Sequence, residues 1–159
     1  MSSQKLNRIG VIGAGECSQE IKDIAEEVGQ RIAQRGAVLV CGGLGGVMEA
    51  AAKGAKEAGG TTVGIVPGTR AGDANPYIDI PIVTGMGEAR NVMIVRTAEA
   101  VIAVSGGPGT LSEIAFCLKL GVPVVGMKTW EIDPRIHQVE TPEEAVDRAF
   151  RLIEQSSKL

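Results

Sequence analysis

The segment Ala100–Glu113, AVIAVSGGPGTLSE, decides how this chain is read. Its first five residues are aliphatic without a polar break, the pattern of a strand buried on both faces. A glycine turn follows, Gly106-Gly107-Pro108-Gly109, and Thr110–Leu120 then reads as a helix. Strand, glycine turn and helix in direct succession form the unit of a parallel sheet, whose crossovers are helical.

The same unit recurs in both directions. Arg8–Gly13 (RIGVIG) predicts a strand. Gln19–Arg35 predicts a helix with Ile21, Ile24, Ala25, Val28 and Ile32 on one face and Gly36 as its stop. Ala37–Cys41 predicts a second strand, Gly45–Ala58 an alanine-rich helix, and Thr61–Val66 a third strand ended by Pro67-Gly68. Thr69–Pro76 turns to Gly, Asp, Asn and Pro and reads as a loop; Ile80–Val83 reads as a short strand and Glu88–Ala98 as a helix. Downstream, Val122–Gly126 predicts a strand with Pro123 near its start, where a first or edge position tolerates it. Thr141-Pro142-Glu143-Glu144 is a capping-box sequence with Pro at the first helical position, opening a last helix to about Gln155. The expectation is an α/β fold: one domain over residues 1–159, a mainly parallel sheet with helices on both faces.

Composition excludes several classes. The chain has 159 residues, the size of one domain. Glycine accounts for 22 of them, about twice its usual share of about 7%. The glycines lack a three-residue period, so this is no collagen, and a hydrophobic content of 44% argues against disorder. Two Phe, one Tyr and one Trp leave almost nothing on which the bases of a single strand could stack. A net charge of −3 argues against a phosphate-backbone binder, so no nucleic-acid partner is expected. No apolar run approaches the ~20 residues of a membrane span. Met1–Arg8 is short and polar, unlike a signal peptide. Cys17, Cys41 and Cys117 are far apart and lack metal-ligand spacing. No metal site is expected, and a reducing cytoplasm is the expected compartment.

Three glycine clusters fall just after predicted strands: Gly13-Ala14-Gly15, Gly42-Gly43-Leu44-Gly45-Gly46, and Gly106-Gly107-Pro108-Gly109-Thr110. In open α/β sheets the ligand crevice lies outside those strand ends, and a glycine turn at a helix start exposes N–H groups to an anion. Candidate ligand- and phosphate-binding residues are therefore Gly13, Gly15, Gly42, Gly43, Gly46, Gly106, Gly107, Gly109 and Thr110. The alternative is that these glycines serve only tight turns. The expected partner is a phosphorylated small molecule. No cluster runs into the Gly-Lys-Ser/Thr of a P-loop. Gly13-Ala14-Gly15-Glu16-Cys17-Ser18 lacks the third glycine of the dinucleotide fingerprint, and the second strand ends without an acid for a ribose. Arg90 and Glu113 stand on either side of the Ala100–Val104 strand. An acid held near a bound phosphate is unfavourable unless it is paired or acts. The two are candidate catalytic residues, with a structural ion pair, or a Glu favoured by the helix dipole, as the other readings.

Gly106-Gly107-Pro108-Gly109-Thr110-Leu111-Ser112-Glu113 resembles the PGGxGTxxE signature of the LOG (Lonely Guy) family, long mislabelled as lysine decarboxylases. Glu113 follows Arg90 by 23 residues, a spacing similar to that of the family's catalytic Arg and Glu. Cys41–Ala50 resembles its second motif, GGxxGVMxA. Asn75-Pro76-Tyr77 and Arg90-Asn91 resemble most a branch holding molybdenum-cofactor carrier proteins and uncharacterised bacterial and archaeal relatives. The resemblance implies a modified Rossmann fold and a homo-oligomer, usually a dimer. It implies one of two activities. One is binding of a phosphorylated nucleotide or pterin, with molybdenum cofactor as the bound ligand. The other is phosphoribohydrolysis, cleaving the N-glycosidic bond of nucleoside 5′-monophosphates to base and ribose 5-phosphate. A sensor for a nucleotide-derived ligand is a third reading. By motif position Gly107, Gly109 and Thr110 would hold phosphate, with Arg90 and Glu113 as the catalytic pair. Three positions depart from the LOG pattern and lean toward the carrier branch. Ser105 replaces a proline, Asn91 replaces a lysine, and the first loop is not of the Gly-Ser-Ser type.

Val92–Val95 and Ile114–Leu118 are apolar on every side of their predicted helices. Such helices are buried all round, in a deep core or at a subunit interface, and the family's dimers favour the interface. His137, the only histidine, has no recognisable partner. Cys41 adjoins a glycine cluster and either lines the pocket or packs as a small hydrophobe. Asp73 and Asn75 belong either to a lid on the ligand or to an ordinary solvated turn.

Overall fold

The computed structural model describes residues 5–158; residues 1–4 of the Met1–Arg8 segment lie outside that range. Seven strands form one all-parallel sheet in the order β4-β3-β2-β1-β5-β6-β7. The strands are β1 (Arg8–Gly13), β2 (Val38–Cys41), β3 (Thr62–Val66), β4 (Ile80–Val83), β5 (Ala100–Val104), β6 (Val124–Met127) and β7 (Ile136–Gln138). The helices are α1 (Gln19–Gln34), α2 (Val47–Glu57), α3 (Asn91–Thr97), α4 (Pro108–Leu120) and α5 (Pro142–Ser156). Among the described residues no helix is long and apolar enough to cross a membrane.

The central strands are legible because they are continuous aliphatic runs, and β5 is buried along its whole length. Alternate side chains feed two cores. Ile9, Val11, Leu39, Ile102 and Val104 pack with α1, α2 and α5. Ile12, Val40, Ile65, Val101 and Ala103 pack with α3 and α4. Ser18 caps α1 by accepting from the Ile21 N–H at 3.3 Å, and Gly121 ends α4 in the left-handed conformation (φ 71°).

Several boundaries differ from expectation. The helix predicted over Glu88–Ala98 is two pieces: a 3-10 turn over Gly87–Arg90, then α3. The Asn91 N–H bonds the Glu88 carbonyl, the tighter i to i−3 closure. α4 begins at Pro108, two residues before its predicted start, because a proline is accepted at the first helical position. Pro123 lies just outside β6, where its carbonyl still accepts from Val101 N–H at 2.9 Å. β7 was not expected: it has three residues and only Ile136 fully buried, too short for a pattern. At α5 the Thr141 hydroxyl accepts from Glu144 N–H, but Glu144 reaches back to Glu140 rather than to Thr141.

Two glycines have nothing to do with turns. Gly29 in α1 and Gly54 in α2 lie where the helices touch backbone to backbone. A Cβ on Gly29 would stand 1.9 Å from the Ala51 carbonyl oxygen, and one on Gly54 1.9 Å from that of Glu26. This close approach sets the α1–α2 spacing. In an exposed helix glycine to alanine gains about 1 kcal/mol. Here overpacking reverses the sign, so Gly29→Ala should lose about 2 kcal/mol in urea denaturation.

Candidate functional site

Strand order reverses between β1 and β5. The chain leaving β1 turns into α1 on one face of the sheet, and the chain leaving β5 turns into α4 on the other. Between them opens the crevice where α/β sheets take ligands. A cavity of about 370 Å³ lies there, bordered by the loops after β1, β2 and β5 and by the 3-10 turn before α3. A larger hollow of about 470 Å³ beside α1 is lined by Asp23, Glu26 and Glu27, with no glycine turn and no buried polar group.

Of the predicted site residues, Gly13, Gly15, Gly42, Arg90, Gly107, Gly109, Thr110 and Glu113 line this cavity. Gly43, Gly46 and Gly106 do not. Gly43 packs against Val66 and Gly64, and Gly46 lets the start of α2 approach Ala14 and Gly15. Gly106, at φ 114°, leaves room for the Thr110 side chain, whose Oγ1 would be 2.3 Å from any Cβ there. These three shape the cavity from behind.

The start of α4 supplies its donors. Gly107 is the N-cap residue and no side chain caps the helix. The Gly109 and Thr110 amides therefore have no acceptor within the helix. The Thr110 hydroxyl is buried, 2% exposed, and has no hydrogen-bond partner. Orphaned donors of this kind mark a place for an anion.

Arg90 is the cavity's one cation and is held by groups without charge. Its Nε–H donates to the Ile65 carbonyl at 2.8 Å, one Nη to the Gly42 carbonyl at 3.2 Å, and the other to the Asn91 Oδ1. Gly42 is needed for this seat, because a Cβ would meet the Arg90 Nη2 at 2.8 Å. Burial lowers the pKa of Arg90 and Glu113 works against that shift; the guanidinium stays charged. Arg90 and Glu113 face the same cavity yet form no ion pair with each other. The structural ion pair considered from sequence is not what the fold builds.

The remaining candidates fall outside the cavity. Cys41 is fully buried, accepts from the Gly43 N–H at 3.4 Å, and burial pushes its thiol up to about 12, so it packs as an inert hydrophobe. Asn75 braces the second glycine loop, donating from Nδ2 to the Leu44 carbonyl at 2.8 Å while its N–H reaches the Gly43 carbonyl at 2.8 Å. Asp73 closes a local turn with Arg70. His137 stands beside Arg148 on β7, and its pKa is lowered by burial and that charge. Sequence reasoning passed over Ser112, the Ile65 carbonyl and Trp130. The Trp130 indole N–H donates to the Gly107 carbonyl at 3.2 Å, on the turn itself. Its being the only tryptophan was the one available signal.

Fold and crevice together define a Rossmann-like α/β protein with a candidate ligand cavity at the switch point of its sheet. The chain belongs to the SLOG cluster4 family, whose model matches residues 6–156. An uncharacterised protein of Archaeoglobus fulgidus is 54% identical over 144 residues, covering 90% of this chain and 94% of that one. The molybdenum cofactor binding protein of Rippkaea orientalis superposes with a TM-score of 0.90 at 36% identity, covering 95% of this chain and 99% of that one. A cytokinin riboside 5′-monophosphate phosphoribohydrolase of Mycobacterium tuberculosis is 42% identical over 100 residues, 60% of this chain. That match spans 52%, about half, of the enzyme's length.

Burial pushes the Glu113 carboxyl from 4.5 up to about 8, with Arg90 pulling the other way. An acid whose folded pKa lies above its unfolded one stabilises the fold fully below the unfolded value, and this is lost as pH climbs through the folded value. Glu113→Gln removes that titration. In ligand-free protein the melting temperature of Glu113→Gln relative to wild type should rise between pH 4.5 and about 8 and level off above. Differential scanning calorimetry across that range measures it, and a pH-independent difference would mean that Glu113 ionises normally.

Proposed function

We propose that this protein binds a phosphorylated nucleotide or pterin, with molybdenum cofactor the leading candidate. The phosphate sits at the start of α4 and the rest of the ligand lies between Arg90, Glu113 and the apolar wall of Leu44 and Met48. The observation that carries this reading is the buried, unpartnered Thr110 hydroxyl beside the uncapped Gly109 and Thr110 amides. One cation and no lysine line the cavity, which matches a single monoester phosphate better than a polyphosphate. Among the described residues no group of three or more His, Cys, Asp or Glu side chains could hold a metal ion. The residues therefore fit the phosphate end of a phosphorylated pterin and offer no ligands to its metal. Cys17, Cys41 and Cys117 are free thiols. Isothermal titration calorimetry with AMP, a phosphorylated pterin and inorganic phosphate tests the reading. Binding should weaken about tenfold in Thr110→Val, through loss of one hydroxyl to an ionised oxygen. Absence of affinity for all three probes sinks it.

Hydrolysis of nucleoside 5′-monophosphates is the second reading, and it is favoured by one feature. Glu113 is free of Arg90 and remains protonated near neutral pH, so it could give a proton to a leaving base or orient water. Arg90 would then balance the phosphate. Purified protein incubated with AMP should release adenine, and Glu113→Gln should cut the rate by about 100-fold or more. No free base, or a rate unchanged in the variant, leaves binding alone.

A homodimer completes the proposal. The α3–α4 layer buries Ile94, Val95, Ile114 and Cys117 in the core but leaves Phe116 exposed and Val92 and Met93 half-buried. A second copy covering that side should be lost in Phe116→Glu, read as a halved mass by light scattering.

A further inference from the structure

Arg90 does not hold its direction alone. Its guanidinium donates to the Asn91 Oδ1, and the Asn91 Nδ2 donates in turn to the Ser112 Oγ at 3.2 Å. The Ser112 hydroxyl then donates to the Gly109 carbonyl at 2.6 Å. The amide orientation of Asn91 is fixed by its partners, because a guanidinium can only donate. A continuous chain of three hydrogen bonds thus runs from the cavity's one cation to the glycine turn at the start of α4. Each donor has one acceptor and no link passes through a charge pair. The chain is buried at one end, where Arg90 is 8% and Asn91 4% exposed.

We propose that Asn91 and Ser112 are positioning residues that lock Arg90 to the Gly109 turn, so that the cation and the anion seat move as one unit. Two of the five guanidinium N–H groups remain uncommitted after the bonds to Ile65, Gly42 and Asn91. The plane of the guanidinium decides where those two point. Ile65 and Gly42 anchor it on the sheet side, and Asn91 fixes it on the α4 side. Anything that displaces the turn when an anion arrives is passed through Ser112 and Asn91 to Arg90. The functional consequence rests on the anion-binding reading above; the locking itself does not.

Ser112 is the place to test it. It is half-exposed and does not itself line the cavity, and Ser112→Ala deletes its two links, to Asn91 and to the Gly109 carbonyl. In ligand-free protein, NMR of the Arg90 side-chain N–H groups should show faster guanidinium rotation and solvent exchange in Ser112→Ala than in wild type, with Ser112→Thr restoring both. AMP affinity should fall about threefold to tenfold in Ser112→Ala, the range expected for a lost hydrogen bond. It should fall no further when Ser112→Ala is added to Arg90→Gln, because a residue that acts through Arg90 has nothing left to position. Unchanged Arg90 signals in Ser112→Ala overturn the proposal, and so does a loss that multiplies in the double variant. Wild-type protein that binds neither AMP nor phosphate, while the Arg90 signals respond as expected, overturns the anion reading and the coupling but retains the lock. A melting temperature for each variant separates these results from partial unfolding.

Discussion

Everything in the site follows from the pairing of β1 with β5. Their register runs from Ile9 opposite Ala100 to Gly13 opposite Val104, so both strands end at the same level of the sheet. One chain then turns up and the other down. The gap cannot close without breaking a central, almost wholly buried ladder of the sheet. Gly13 is the residue that makes the pairing fit at its end, because a Cβ there would stand 2.6 Å from the Val104 carbonyl oxygen and as close to Val47. The cavity is a vacancy imposed by topology before any side chain lines it.

Into that vacancy the fold brings an arginine and a glutamate without pairing them. Arg90 is occupied by two main-chain carbonyls and an amide oxygen. Glu113 meets its desolvation by holding a proton instead of finding a cation. A guanidinium satisfied by neutral acceptors keeps its full charge for an incoming anion, and a protonated acid does not repel that anion. Under the proposed function the two devices solve the same problem, that of placing an acid near a phosphate.

Much of this was legible in the sequence because it rests on pattern. Aliphatic runs bounded by glycine gave β1, β2, β3 and β5, and the glycine clusters marked the edge where the cavity lies. The pairing of Arg90 with Glu113 across one site was legible as spacing and resemblance. Other features left no trace. β7 is too short to carry a period. The close contact of α1 and α2 depends on Gly29 and Gly54 meeting across helices, which no local window can display. The Arg90 seat uses the carbonyls of Ile65 and Gly42, and a backbone acceptor is the same whatever the residue. Gly43, Gly46 and Gly106 looked like ligand contacts because glycine admits both a ligand and a neighbouring side chain; only the fold says which arrived.

The indole of Trp130 rests on the Gly107 carbonyl, at the residue that caps the helix of the proposed anion seat. It is the only tryptophan in the chain. The near-ultraviolet emission of the protein therefore originates mainly beside the cavity mouth, with one Tyr elsewhere in the chain. A shift of that turn alters the hydrogen bond on the fluorophore directly. The molecule thus carries its own optical gauge of occupancy, without a dye or a label.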